Sequence, residues 1–431
     1  MKVTGRLFTL TAITAAAVLC SVVIAFNVLV DPYGFYSSYG STDGTTRPAI
    51  YRRMRLAKAY DLRRIEPVAI VLGTSRSHIG LRMSHPGWAV PLPMRYNAAF
   101  DGATTKEIYA YLLHAQAIRP LRQVVLGLDT WQLNAFPSFT RPDFVPALLF
   151  EPGQRLHNAG VYAADLGVLI SVDTTQASLV QAQFADQQQP QWLAPDGQRL
   201  GAIFFRKADP SFSAAPGRYF RDVDRQEITY MLDTGPVITS QTKSGPDAVQ
   251  PRLTSLDYIA SIISFCRDQR IDLRLLLTPA HAHQLEMIAS LGGWARLEQG
   301  KRALVALLAQ DVASHPGVQP FPLYDFSGYS SVTTESVPAP TERHEMKFYW
   351  DSSHFKEGVG DWVLDRLFAI GSHVPPDFGV QLTANNLERE LEHDRAMQQA
   401  YRSGHQDDVA LIETLIGEVK KEMAKQREGR T

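Results

Sequence analysis

The sequence predicts an α/β protein: a three-layer, doubly wound parallel sheet, preceded by a membrane helix and interrupted by a large insertion. Three observations predict it. Short apolar runs alternate with helical periodicity. One uninterrupted apolar segment lies near the N-terminus. Between Asn134 and about Arg252 the alternation stops, and prolines, aromatics and glutamines take over.

Residues 7–30 hold no charge, proline or glycine. Such a run can cross a hydrocarbon core as a helix. Lys2 and Arg6 precede it and Asp31 follows, so the short N-terminus is expected inside and the bulk of the chain outside. Val23-Ile24-Ala25 would satisfy a small-residue cleavage rule, but the apolar run continues through Val30, too long for a signal core, so an uncleaved anchor is expected. A lipoprotein signal ending at Cys20 is disfavoured by the bulky Leu19 before it. Asp31-Pro32-Tyr33-Gly34 reads as a turn, and the Gly/Ser/Thr-rich stretch to Thr46 as a connector. A helix is expected over 49–64. Its basic residues, Arg52, Arg53, Arg55, Lys58, Arg63 and Arg64, with Arg47 just before, read as a solvated face or as a face on anionic lipid head groups.

Val68-Ala69-Ile70-Val71-Leu72 opens the sheet, because continuous apolar runs suit strands buried on both faces. Further strands are expected at 94–98, 124–128, 273–277 and 322–326. Helices are expected at 106–118, 256–268 and 303–313. Residues 384–430 read as two charged amphipathic helices packed on the domain, with Asp407 and Asp408 at one start and Lys420, Lys421 and Lys425 near its end. The resulting organisation is a stub and anchor (1–30), a connector and juxtamembrane helix (31–64), a catalytic domain (65–375, insertion about 134–252) and C-terminal helices (376–431). The insertion is either a substrate cap or structural decoration.

Lys+Arg total 43 and Asp+Glu 44, a formal net charge of -1, so no basic field points to nucleic acid. The two cysteines, Cys20 and Cys266, are not expected to pair, and there is no CxxC or Cys/His cluster of zinc spacing. No Gly-rich phosphate loop appears. No metal or cofactor is expected.

Two signals carry chemistry. Gly73-Thr74-Ser75-Arg76 closes the first strand, where ligands gather in open parallel sheets. A serine entering a helix there meets backbone N–H groups suited to developing negative charge; the bland alternative is a helix cap. Trp350-Asp351-Ser352-Ser353-His354-Phe355 precedes the last helix of the domain. An Asp and a His three residues apart can project from one turn, the carboxylate orienting the base; the bland alternative is a surface helix start. His281 and His283 follow the fourth strand, where they could line the site. His78 and His114 read as structural. His344-Glu345 lacks the second His of a zinc-protease helix, and Ser77 stands where a G-x-S-x-G elbow would have its second Gly.

In their order, these motifs resemble the SGNH (GDSL-like) hydrolases over about residues 67–368. With the anchor they resemble the membrane-bound acyl-transfer proteins of cell-surface polymers, such as the D-alanine transfer protein of teichoic acids and the alginate O-acetylation proteins. The resemblance implies a flavodoxin-like fold, Ser75 as nucleophile, His354 as base and Asp351 as its orienting acid. Tyr96-Asn97-Ala98-Ala99-Phe100-Asp101-Gly102 matches the second motif and implies the Gly102 N–H as an oxyanion donor. Where the family carries a donor Asn, this chain has Gly127-Leu128-Asp129-Thr130, and an ionised Asp cannot donate. Asp129 would then orient another group or bind a cationic part of the substrate. Asn97, Asn134 or Arg76 could supply the missing donor. The resemblance also implies an acylated glycopolymer or small acyl-ester donor as substrate, and a membrane-bound partner that delivers the acyl group. A non-catalytic, membrane-tethered assembly or polymer-binding module on the same scaffold is the competing expectation.

Overall fold

The structure, a computed structural model, describes residues 2–36, 47–135, 138–153, 159–183, 192–234, 253–371 and 373–428. The protein is mixed α/β, with six strands in one mostly parallel sheet. The strands are β1 (Ala69–Leu72), β2 (Arg95–Asn97), β3 (Gln123–Leu128), β4 (Asp272–Leu277), β5 (Leu323–Asp325) and β6 (Val380–Gln381), in spatial order β2-β1-β3-β4-β5-β6. Only β6 runs antiparallel. The order reverses at β1, which pairs with β2 on one side and β3 on the other. Five of the six strands fall on the expected runs; β6, two residues long, was not anticipated.

Alternate residues of the central strands feed two cores. Ile70, Val124, Leu126, Leu273 and Leu275 face one side with Ile108, Leu112, Ile259 and Leu304. Ala69, Val71, Val125 and Leu276 face the other with Val359, Val363 and Leu367. Helices therefore cover both faces, and the central strands are mostly apolar because their middles meet little water on either side.

The N-terminal helix α1 (Lys2–Val30) has the length and composition of a membrane span, with mean hydropathy 2.5 over 18 of its residues. The expected 49–64 helix breaks at Arg53 into α2 (Pro48–Arg52) and α3 (Met54–Ile65). The connector before it lies largely outside the described residues. The remaining helices of the first half are α4 (Ser75–Gly80) and α5 (Thr105–Ile118). The insertion contributes α6 (Ala159–Leu169), α7 (Val172–Gln183), α8 (Gly201–Ile203) running into a π-helical turn (Phe204–Ala208), α9 (Pro210–Ala214) and α10 (Pro216–Thr234). Of its glutamines, Gln181 and Gln183 end α7; Gln187, Gln188, Gln189 and Gln191 lie outside the described residues. Then follow α11 (Ser255–Asp268), α12 (Ala282–Ser290), α13 (Trp294–Ser314), α14 (Glu357–Phe368), α15 (Leu387–Gly404) and α16 (Gln406–Glu428).

Three of the basic residues in α2 and α3, Arg55, Lys58 and Arg63, correct both expectations made for them, whereas Arg52 is exposed. Arg55 is buried, donating to Glu107 at 3.0 and 3.1 Å and to Asp143 at 3.1 Å. Lys58 is also buried and donates to the Asn97 carbonyl at 2.6 Å. Arg63 pairs with Asp165 at 3.0 Å. These side chains clamp α3 to the end of β2, to α5 and to the insertion, so they face neither solvent nor lipid. Burial pushes the Lys58 ammonium down to about 7.

The C-terminal helices pack on the domain, as expected. Ile412, Leu415, Ile416 and Val419 of α16 meet Ile228 and Met231 of α10 and Met287 and Ile288 of α12. At that junction the fully buried His283 lies 2.8 Å from Asp224 and 3.8 Å from Asp408. Burial alone would depress it, but the two carboxylates raise it from 6.5 to about 9.

Two predictions follow from these buried charges. Glu107→Gln leaves Asp143 as the one carboxylate paired with Arg55 and should cost about 1–3 kcal/mol, read as a lowered denaturation midpoint of the full chain in detergent; an unchanged midpoint would return Arg55 to the surface. The raised His283 stabilises the fold fully below about pH 6.5, and this contribution, of order 3 kcal/mol, is lost as pH rises through about 9. Lys58, depressed on folding, acts in the opposite sense, so the comparison must be wild type against Asp224→Asn: their stability difference should shrink from pH 6 to pH 9. A difference constant with pH would show that the pair carries no charge.

Candidate active site

The site is built at the carboxyl ends of β1, β3 and β4. β1 ends in Gly73 at φ +146, where a Cβ would stand 2.4 Å from Ser77 Oγ and 2.8 Å from the Gly127 carbonyl. At Gly127 a Cβ would come within 2.1 Å of the same hydroxyl. Two glycines thus let the start of α4 press against β3. Thr74 caps α4, its Oγ1 accepting from the Arg76 N–H at 3.4 Å. Ser75 is the first residue of α4 and is half-buried.

The opposing loop is shaped by its own side chain. Asp351 Oδ1 accepts from the N–H groups of Ser353 and His354, both at 2.8 Å, which folds residues 351–354 into a tight turn. The Trp350 N–H closes it on the His354 carbonyl at 2.8 Å. The turn brings His354 Nδ1 to 2.9 Å from both Asp351 oxygens, and Nε2 to 2.8 Å from Ser75 Oγ. A carboxylate only accepts, so Nδ1 carries the proton toward Asp351 and Nε2 accepts from the serine hydroxyl. Three residues separated by up to 279 positions form one hydrogen-bonded line. Burial opposes the imidazolium and Arg76 adds to that opposition, but Asp351, helped by Asp101, outweighs them and raises His354 above its ordinary value.

Asp129 accepts from Thr74 Oγ1 at 2.7 Å, Thr278 Oγ1 at 2.6 Å and Trp131 Nε1 at 3.1 Å. Both oxygens are occupied and the side chain is buried. It therefore orients the Ser75 elbow through Thr74, the first of its two expected roles; the second, binding a cationic substrate group, is corrected, because no face of the carboxylate is open. Arg76 is buried beside it, Nε 3.8 Å from Asp129, and donates to Thr278 Oγ1, Gln284 Oε1 and Ser353 Oγ. Its guanidinium is tied into the protein by these contacts.

Two expected substrate-facing residues do not reach the site. Asn97 is fully buried and its amide donates to the carbonyls of Ser77 and Leu81, both at 3.0 Å, so it fastens the end of α4 and is spent as an oxyanion donor. His281 caps α12, its Nδ1 accepting from the His283 N–H at 3.3 Å and its Nε2–H donating to the Glu335 carbonyl at 2.7 Å. Burial pushes it down to about 3, a neutral cap in place of a substrate contact. Asn134 donates to the Trp131 carbonyl at 2.6 Å. His78 and His114 are buried, each about 3, and structural as expected. Gly102 adopts φ +56 and presses on Arg141. Its N–H and that of Ser75 have no hydrogen-bond partner among the described residues.

Sequence reasoning missed the insertion's contribution. Glu227 of α10 accepts from Ser353 Oγ at 2.7 Å and is raised by burial. Phe205, in the π-helical turn, packs 5.9 Å from the His354 ring and stacks on Trp350. Only the aromatic richness of the insertion hinted at this. No group of three metal-ligating side chains occurs among the described residues. No protein-family model and no curated protein matches the chain.

Asp351→Asn leaves the size of the turn but removes the charge that favours the imidazolium. His354 should titrate above its ordinary value in the wild type and lower in the variant, followed by NMR of the ring protons. Equal titration in both would detach Asp351 from the base.

Proposed function

We propose that the chain is a membrane-anchored serine esterase or O-acyltransferase of the SGNH type. It would sit in the inner membrane with its catalytic domain in the periplasm, acting on ester-linked acyl groups of a cell-surface polysaccharide or other glycopolymer. One observation carries the reading: the hydrogen-bonded line from Ser75 Oγ through His354 to Asp351, at 2.8 and 2.9 Å. A serine hydroxyl is a poor nucleophile until an oriented base takes its proton, and this is the arrangement that does so. The strand order 2-1-3-4-5, with the serine at the reversal beside β1, supports the flavodoxin-like part of the reading.

In this mechanism Ser75 Oγ attacks the ester carbonyl as His354 Nε2 takes its proton. The oxyanion is met by the backbone N–H groups of Ser75 and Gly102. The intermediate collapses to an acyl-enzyme, and His354 protonates the departing alkoxide. Water or a sugar hydroxyl then gives its proton to His354 and takes the acyl group. Asp351 holds the tautomer and stabilises the imidazolium. The chemistry calls for no cofactor and no nucleic acid; the acyl group would come from a small ester or from a membrane-bound delivery partner. Loss of the side-chain donor at position 129 leaves a hole of backbone donors alone, and one missing donor is worth about 10²–10³ in turnover. A slow enzyme that favours a bound acceptor over water is consistent with that.

A fluorophosphonate should label Ser75 of the full chain in detergent, mapped by mass spectrometry. Ser75→Ala should abolish labelling, and His354→Ala should slow it by roughly 10⁴-fold. The wild-type rate should climb with pH through the raised His354 value, since only the neutral ring accepts the proton. A folded protein that is not labelled, with Ser75→Ala fully active in cells lacking the wild type, would replace the enzyme by a tethered assembly or polymer-binding module.

A further inference from the structure

The insertion carries a helical hairpin that the site does not use. Helices α6 and α7 contain no Lys or Arg, and both of their acids are paired: Asp165 with Arg63 at 3.0 Å, and the exposed Asp173 with Arg53. Large apolar side chains face outward instead. Tyr162, Leu166, Ile170, Val172, Leu179 and Val180 are between 44% and 75% exposed. A patch of this kind beside charged neighbours on one side marks a surface that is covered in use.

The position of the hairpin says what covers it. Asn27, in the last turns of α1, is buried and donates to the Leu169 carbonyl at 2.8 Å and to Thr175 Oγ1 at 3.1 Å. Of residues 23–30 of α1, Asn27 is buried, Ala25 and Leu29 are exposed and the others are half-buried, whereas residues 5–22 are exposed along their whole length. At 1.5 Å per residue that exposed stretch spans roughly 27 Å, close to the roughly 30 Å of a bilayer's hydrocarbon core. The hairpin therefore packs beside the last two turns of the apolar helix, at the end of the span. Tyr36, 55% exposed, stands just beyond the span, and Tyr162 stands on α6, the residue type that settles at the head-group level.

We propose that the α6–α7 hairpin is a foot that lies in the interface of the lipid leaflet from which α1 emerges. Its apolar face enters the head-group and acyl boundary, as interfacial helices do to a depth of about 5–10 Å. With no basic residue on the hairpin, the attraction is apolar and needs no anionic lipid. The inference rests on α1 spanning a bilayer and is independent of the chemistry at Ser75.

The test is spin labelling of the full chain reconstituted in phosphatidylcholine vesicles. Cys20→Ser removes the exposed thiol, and Cys266 is buried. Single cysteines are then placed at Ile13, Val172, Leu179 and Arg389, all exposed positions. The ratio of oxygen to water-soluble nickel accessibility should be higher at Ile13, Val172 and Leu179 than at Arg389, because apolar oxygen concentrates in the acyl region and the nickel complex is kept out of it. Lipid exposure at Ile13 with water exposure at Val172 and Leu179 would overturn the foot and leave the patch to a protein partner. Water exposure at all four would overturn the span, and the foot with it.

Discussion

Asp129 is a carboxylate with no access to water, at the point where three adjacent strands end. It follows β3, accepts from Thr74 beyond β1 and from Thr278 beyond β4, and has Arg76 3.8 Å away. An isolated buried carboxylate is prohibitive in free energy. This one is tolerated because three donors and a guanidinium converge on it, and they converge only when the three strand ends are in register. The position of Ser75, one residue after Thr74, follows from that requirement. So does the position of Ser353, which Arg76 and Gln284 both reach, and through it the turn that carries His354. An Asp here holds the elbow from below, where a donor amide would have addressed the substrate from above.

Much of this was legible in the sequence, and what was not has a common physical cause. β1, β3 and β4 announce themselves because strands covered on both faces carry nearly continuous apolar runs, Ala69–Leu72, Val124–Leu128 and Leu275–Leu277. Ser75, Asp351 and His354 are legible because each depends on a local device: a strand end with glycine, and an aspartate that folds its own turn. Asn97 and His281 were misjudged because their partners are backbone carbonyls at Ser77, Leu81 and Glu335, and a carbonyl leaves no mark in a sequence. Arg55 and Lys58 looked like surface charges because buried charges are rare. Their partners, Glu107, Asp143 and the Asn97 carbonyl, lie well away along the chain. Among the insertion helices, α6 escaped notice for a different reason: apart from Asp165 it is nearly all apolar or small, so it lacks the one-sided stripe that marks a packed helix.

The insertion does more than decorate. Phe205 and Trp350 stack beside His354, and Glu227 accepts from Ser353. The same segment carries the hairpin that grips α1. Its two ends of duty are joined by direct contacts. Asn27 of α1 bonds the α6–α7 hairpin. Asp165 of α6 holds Arg63 and the Tyr60 hydroxyl of α3, the latter at 2.6 Å. Lys58 of α3 bonds the Asn97 carbonyl, and the Asn97 amide bonds Ser77 of α4, the helix that Ser75 opens. Each link is buried or half-buried and charge-assisted or backbone-directed, so none has the slack of a linker. With α1 in a bilayer, Ser75 is held at a set height and orientation above the membrane, not tethered to roam over it. In the proposed reaction a serine so placed would suit an acyl donor presented at the membrane surface, and α3, with its buried arginine and lysine, is the strut that joins the anchor to the site.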